Sequence, residues 1–170
     1  KGIFEYLELA NLMKDSDFKF YLAGDVDKGN PDSLSKSQLD EIKNNKYINY
    51  LGHIDIKRDL HNYDINIVMS KYEGSSRILL ESLYIGLICL SNNIPGTIEL
   101  GSKFSNSFFI DDNNIREFKE KLNEIINYDV FLDDSQNSFF GKGAEYNREL
   151  INKNYTSCLL YTSPSPRDAT

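Results

Sequence analysis

Two glutamates eight positions apart, Glu73 and Glu81, flank a run suited to holding an anion, Gly74-Ser75-Ser76. Gly74 lets a ligand approach the backbone because no Cβ stands in the way. Ser75 and Ser76 are natural N-cap residues for the apolar stretch that follows. The free N–H groups of a helix starting there suit a phosphate. Glu81 falls in the first turns of that helix and can face the same crevice as Glu73. Carboxylates on both sides of an anion-binding helix start match a ligand with hydroxyls on both sides of a phosphate. Each charge-assisted hydrogen bond of that kind contributes on the order of 1.5–3 kcal/mol. A nucleotide-sugar, with ribose, diphosphate and sugar in a row, has that shape. Spacing alone leaves a plainer alternative open, with Glu73 complementing the helix dipole and Glu81 on a solvated face.

The elements that must position these residues alternate between two periodicities. Ile3, Leu7, Ala10 and Met13 recur at helical spacing, so 2–14 reads as an amphipathic helix. A short apolar run at 18–23, closed by Gly24-Asp25, reads as a strand and turn. A loop at 29–33 leads to a polar helix at 33–44. Strands follow at 48–51, 65–69, 87–90 and 107–110. Between and after them, helices are expected at 56–63, 77–85, 95–100 and 114–126. Gly86 ends the 77–85 helix as a natural C-cap, and Pro95 opens the 95–100 helix. The stretch 128–143 gives no clear pattern, and 145–154 reads as a last helix. Strand and helix alternating over short connections imply right-handed crossovers and a parallel sheet with helices on both faces. The strands are mostly continuous apolar runs, as buried parallel strands are. In such sheets ligands bind beyond the carboxyl ends of the strands. Attention therefore falls on the loops at 24–33, 52–56, 70–76, 91–96 and 111–114.

Composition narrows the classes. The chain has 170 residues, 40% of them hydrophobic, and a formal net charge of −7. That balance gives no support for nucleic-acid binding, which needs a basic footprint. The last residues, 158–170, resemble a transposase-based sequencing adapter translated in frame and are set aside from fold reasoning. Residues 1–157 are then expected to form one domain, cut at its N-terminus, since the chain opens on Lys1-Gly2 without a methionine. With Cys158 discounted, Cys89 alone rules out a disulfide framework or a cysteine-rich zinc site and fits a reducing compartment. No apolar stretch approaches the roughly 18 residues of a membrane span.

The run from Tyr63 to Gly74, followed by Leu79-Leu80-Glu81-Ser82-Leu83-Tyr84-Ile85-Gly86, resembles family 4 of the retaining GT-B glycosyltransferases. That family pairs an apolar strand and Glu-Gly with a second Glu eight positions on, a Leu-Glu-Ala-type helix and a Gly. Pro95-Gly96-Thr97-Ile98-Glu99 is similar to its Gly-Gly-x-x-Glu turn. Phe20-Tyr21-Leu22-Ala23-Gly24-Asp25 is similar to its Gly-Asp turn, and Ile48-Asn49-Tyr50-Leu51-Gly52-His53 to its strand-Leu-Gly element. Lys1-Gly2 matches a pair that opens the donor domain's first helix. Ser75-Ser76, Gly86-Leu87-Ile88 and Pro95 depart from the family's pattern near the donor sugar.

The resemblance implies the C-terminal, donor-binding half of a GT-B fold with its first strand missing. The parent would be a bacterial-type glycosyltransferase, retaining and metal-independent. Glu73 would contact the donor sugar and act catalytically, and Glu81 would bind the nucleotide ribose. Lys1 would neutralise the diphosphate leaving group. The backbone at Gly74, Ser75 and Ser76 would cradle a phosphate. Gly24, Gly52, His53 and Ile54 would line the nucleotide side. His53 also reads as an exposed loop histidine without a task, and His61 as structural. Asp111-Asp112 and Asp133-Asp134 read as loop or capping residues, with no metal or cofactor implied. The donor would be a UDP- or GDP-linked sugar. The acceptor would be a saccharide or lipid-linked saccharide held by an N-terminal domain ahead of Lys1, with no nucleic acid involved. The parent would be cytoplasmic, peripherally associated with the inner face of the membrane. The fragment alone is expected to be inactive. A sugar-nucleotide epimerase of the same fold and a non-catalytic sugar-nucleotide-binding domain remain as alternatives. A dinucleotide dehydrogenase is disfavoured by the absence of Gly-x-Gly-x-x-Gly.

Overall fold

A strand that is apolar along its length needs cover on both faces, and β4 (Ile88–Asn92) has it, with all of its residues buried. The computed structural model of the chain describes residues 2–24 and 35–127. Along them run α1 (Ile3–Leu12), β1 (Phe20–Ala23), α2 (Lys36–Lys43), β2 (Ile48–Gly52), α3 (Ile56–Asp59) and β3 (Ile65–Val68). The series continues with α4 (Arg77–Ile85), β4, α5 (Pro95–Gly101), β5 (Ser107–Ile110) and α6 (Ile115–Asn127). Short 3-10 turns at Leu60–Asn62 and Asp111–Asn113 extend α3 and follow β5. The expected helix at 145–154, the unassigned stretch 128–143, Asp133-Asp134 and the tail 158–170 lie outside the described residues.

Among the described residues every strand pairing is parallel, as the short crossovers require. The strands fall into two sheets, β1-β2 and β3-β4-β5. In the larger sheet Ile65 pairs with Ile88 and Cys89 with Ser107, and the register holds through to Asn92 and Ile110. Helices cover two faces, and neighbours on β4 show it. Leu90 joins the cluster of Leu7, Leu9 and Met13 around α1 with Phe118 and Leu122 of α6. Cys89 joins Leu79, Leu80 and Leu83 of α4 with Leu100 and Phe104. Phe20, Ile48, Met69 and Ile110 also belong to the α1–α6 cluster, so strands of both sheets rest on one core.

Local chemistry explains most boundaries. Ser35 caps α2 in a reciprocal box: the Gln38 amide N–H donates to Ser35 Oγ at 3.3 Å, and the Ser35 N–H donates to Gln38 Oε1 at 2.8 Å. The helix thus starts later than its polar composition suggests. Gly86 ends α4 with φ 90°, a left-handed conformation that glycine adopts without steric cost. β4 runs past its apolar residues to Asn92, because Ser91 and Asn92 stay buried and pair with Phe109 and Ile110. Among the described residues, no helix is long and apolar enough to cross a membrane.

Candidate functional site

The loop from Ser70 to Ser76 joins β3 to α4 and is held on three sides. Behind it, Asn92 Nδ2 at the end of β4 donates to the Ser70 carbonyl at 3.0 Å. On its α5 side, Gly96 packs so closely that a Cβ there would sit 2.1 Å from the Glu73 carbonyl oxygen. From α1, Glu5 Oε1 meets Lys71 Nζ at 3.0 Å. Burial pushes the Glu5 carboxyl up, but a backbone N–H and Lys71 outweigh it, and the net shift is downward. Asn92 is fixed in place because β4 carries it to the sheet's carboxyl edge, and Gly96 because α5 begins straight after that edge.

Glu73 and Glu81 do share one crevice. Both line a cleft of about 940 Å³, together with Arg77 from α4 and Gly24, Leu51 and Ile54 from the ends of β1 and β2. The ends of those two strands are tied by the Gly24 N–H donating to the Gly52 carbonyl at 2.8 Å. The Tyr50 hydroxyl adds a bond to the Gly24 carbonyl at 2.8 Å. Burial of Glu81 raises its carboxyl above the usual range, and the charges of Arg77 and Lys57 offset only part of that. A half-buried carboxylate under the charges of Arg77 and Lys57, on the wall of a cleft, suits a ligand hydroxyl that donates to it.

The remaining expected residues are placed less centrally. Gly74 and Ser75 are exposed in the loop, and neither lines the cleft wall. Ser76 is the N-cap of α4, but its side chain makes no capping bond. Its hydroxyl is buried without a hydrogen-bond partner among the described residues, a correction to the capping expectation. Its ψ of 94° is extended enough to start the helix, and the buried setting removes the water that would otherwise serve the hydroxyl. Gly52 is the last residue of β2 and His53 follows it, exposed, and neither lines the cleft wall. Lys1 lies outside the described residues. Asp111 acts as a loop residue and accepts from Asn93 Nδ2. Among the described residues no group of His, Cys, Asp and Glu has the arrangement of a metal site.

Three contributors escaped sequence reasoning. Arg77 stands four positions before Glu81, so helical spacing alone puts both on one face. Lys57, on α3, acts on the same carboxylate through its charge. Asn92, read as part of a loop, is the anchor of the Ser70 carbonyl.

Residues 1–143 match the model of the family described as "Glycosyl transferases group 1". The chain is 29% identical over 141 residues to an uncharacterised 42.6 kDa protein in the cps region of Klebsiella pneumoniae. That match covers 82% of the chain and 34% of the relative, so the chain spans about a third of the relative's length. Among solved structures, the GtfA/B complex superposes with a TM-score of 0.67 at 16% identity, covering 95% of this chain and 33% of that one. Sucrose-phosphate synthase from Thermosynechococcus elongatus gives a TM-score of 0.64 at 11% identity, covering 93% and 43%. At those identities the two structures speak for the fold.

Proposed function

Because the chain belongs to the group 1 glycosyl transferases, we propose that it is the donor-binding half of a retaining glycosyltransferase of family 4. The observation that carries this reading is the shared cleft: Glu73 and Glu81 line it with Gly24, Leu51 and Ile54 beyond the ends of parallel strands. On this reading the base and ribose lie towards Gly24, Gly52, His53 and Ile54, with Glu81 accepting from the ribose hydroxyls. Arg77, four positions before Glu81, opposes part of the rise that burial gives that carboxyl. The diphosphate meets the start of α4 at Gly74, Ser75 and Ser76, where helix N–H groups point outward. Lys1 neutralises charge on the leaving group. Glu73, its carbonyl backed by Gly96, contacts the donor sugar and holds it in its reacting orientation. Catalysis is then positioning plus stabilisation of the departing diphosphate, with no metal in the scheme.

The acceptor, a saccharide or lipid-linked saccharide, binds a preceding domain of a longer parent, a cytoplasmic enzyme associated with the inner face of the membrane. The Klebsiella pneumoniae relative from a cps region, of which this chain spans a third, is in keeping with a longer parent. The test is kinetic. In the full-length enzyme Glu73→Gln should cut kcat on the order of a hundredfold or more with KM little changed. Glu81→Ala should instead raise the donor KM. Equal small effects on both parameters would count against the division of roles. Donor conversion without any acceptor would point to an epimerase instead.

A further inference from the structure

Helix α1 and the segment that carries Glu73 meet twice. The first contact is backbone on backbone. Gly2, the N-cap of α1, packs so closely on the end of β3 that a Cβ on it would lie 2.1 Å from the Met69 carbonyl oxygen. The second is the ion pair about one helical turn further along α1, where Glu5 Oε1 meets Lys71 Nζ at 3.0 Å. A single contact lets two segments pivot about each other, and a second one beside it fixes their angle. Glu5 is suited to this task. It stands in the first turn of α1, where the helix dipole favours a carboxylate, and its own backbone N–H donates to it. Its side chain is 24% exposed against 64% for Lys71, so the carboxylate is the fixed end and the long lysine the end that is caught. The other two anchors of the loop act elsewhere, Asn92 on the Ser70 carbonyl and Gly96 on the Glu73 carbonyl. Between those points lie Lys71 and Tyr72, and Tyr72 is 91% exposed, so side-chain packing holds little of this stretch.

We propose that Glu5 is a positioning residue: by holding Lys71 it sets where the loop presents Glu73 to the donor sugar. The inference rests on the role given to Glu73 above. A largely exposed ion pair contributes little to overall stability. Its effect falls on geometry, because Glu73 stands two residues beyond Lys71 on the same loop. A carboxylate that orients a substrate works only close to its productive position, and a shift of about 1 Å can cost on the order of a hundredfold in turnover. With Asn92 and Gly96 still in place, loss of the pair allows part of that shift and no more.

The test is a charge exchange in the full-length enzyme. Glu5→Lys and Lys71→Glu each set like charges against each other, and the double variant restores an opposite pair. Each single variant should lose roughly tenfold in kcat, with the donor KM within about twofold of the parent, and the double variant should recover most of that loss. Chymotryptic cleavage after the exposed Tyr72, followed by mass spectrometry, reads the tether without any reaction. Cleavage should quicken on the order of threefold or more from the parent to Glu5→Lys, and slow again from Lys71→Glu to the double variant. Within each of these comparisons the loop sequence is the same. Unchanged cleavage in both would overturn the tether. Cleavage that follows the charges while kcat stays level in both single variants would confine the pair to local stability and overturn the positioning role. A fall in kcat that the double variant does not recover would overturn it as well. Glu73→Gln separates this inference from the reading beneath it. Full turnover in Glu73→Gln overturns both, whereas lost turnover there beside level turnover in the single variants overturns the positioning role alone.

Discussion

Replacing Gly96 with alanine should loosen the loop that carries Glu73. The new methyl carbon would stand 2.1 Å from the Glu73 carbonyl oxygen, 2.8 Å from its carbonyl carbon and 3.0 Å from the Gly74 oxygen. All three are backbone atoms, so no side chain can swing aside, and loop or helix must retreat by about 1 Å to reach an ordinary C···O contact of ~3.3 Å. Overpacking of this kind costs about 1–3 kcal/mol. Alanine recovers up to ~1 kcal/mol of helix propensity over glycine, and less in the first turn of a short helix such as α5. The clash wins, leaving a net loss of about 1–2 kcal/mol. At roughly 2–4 °C per kcal/mol for a domain of this size, the melting temperature should fall by about 2–8 °C. Gly74→Ala is the control, since nothing lies within 4 Å of its added Cβ. It should stay within about 0.5 kcal/mol of the parent. Thermal melts followed by far-UV circular dichroism decide between them. A Gly96→Ala chain that melts at or above its parent would refute the packing argument. In the full-length enzyme the same retreat of Glu73 should lower kcat on the order of a hundredfold.

Further expectations concern charge and core. Burial holds the folded Glu81 carboxyl above its unfolded value, so the folded chain binds the extra proton between the two and loses stability as pH rises through them. Glu81→Gln should flatten that slope and leave the melting temperature at pH 7 equal or higher; a clear drop at pH 7 would contradict it. Phe118 is fully buried between α1 and the strands, so Phe118→Ala should cost about 3–5 kcal/mol in urea titrations. A loss below 1 kcal/mol would mean that α6 is not packed as described. Cys89 is fully buried and its thiol is pushed up by that burial, so peptide-level mapping should find it unalkylated by iodoacetamide at pH 8 until urea unfolds the chain. Prompt labelling in the folded state would argue against the α4–α5 cluster.

Much of this architecture is legible in the residues because the signals are local. The helix from Arg77 to Ile85 and its Gly86 stop are set by apolar spacing and by the steric freedom of one glycine. The shared crevice of Glu73 and Glu81 is legible too, since a loop followed by two helical turns returns the second carboxylate to the first. What escaped depends on partners far along the chain. β4 continues through Ser91 and Asn92, polar residues that become strand only because β3 and β5 flank them. Ser76 looks like a capping serine, yet its hydroxyl is buried and makes no capping bond, a setting that only the folded loop creates. The division into two sheets, β1-β2 and β3-β4-β5, leaves no trace in the periodicity along either strand.

The contact between α1 and α6 governs the order in which the molecule can assemble. Lys119 Nζ reaches the Leu12 carbonyl across 107 positions of chain, while Leu7, Phe118 and Leu122 pack in the same cluster. The partners in β3-β4-β5 lie only about 20 residues apart, so they close short loops at low entropic cost. Contacts between near neighbours form early and distant ones late. The three-stranded unit thus closes first, and the helix pair acts as the clasp that fastens α1 and the β1-β2 sheet onto it. A clasp that closes last is also the place where the native molecule opens first. Local unfolding should release α1 with the β1-β2 sheet while the three-stranded unit stays intact.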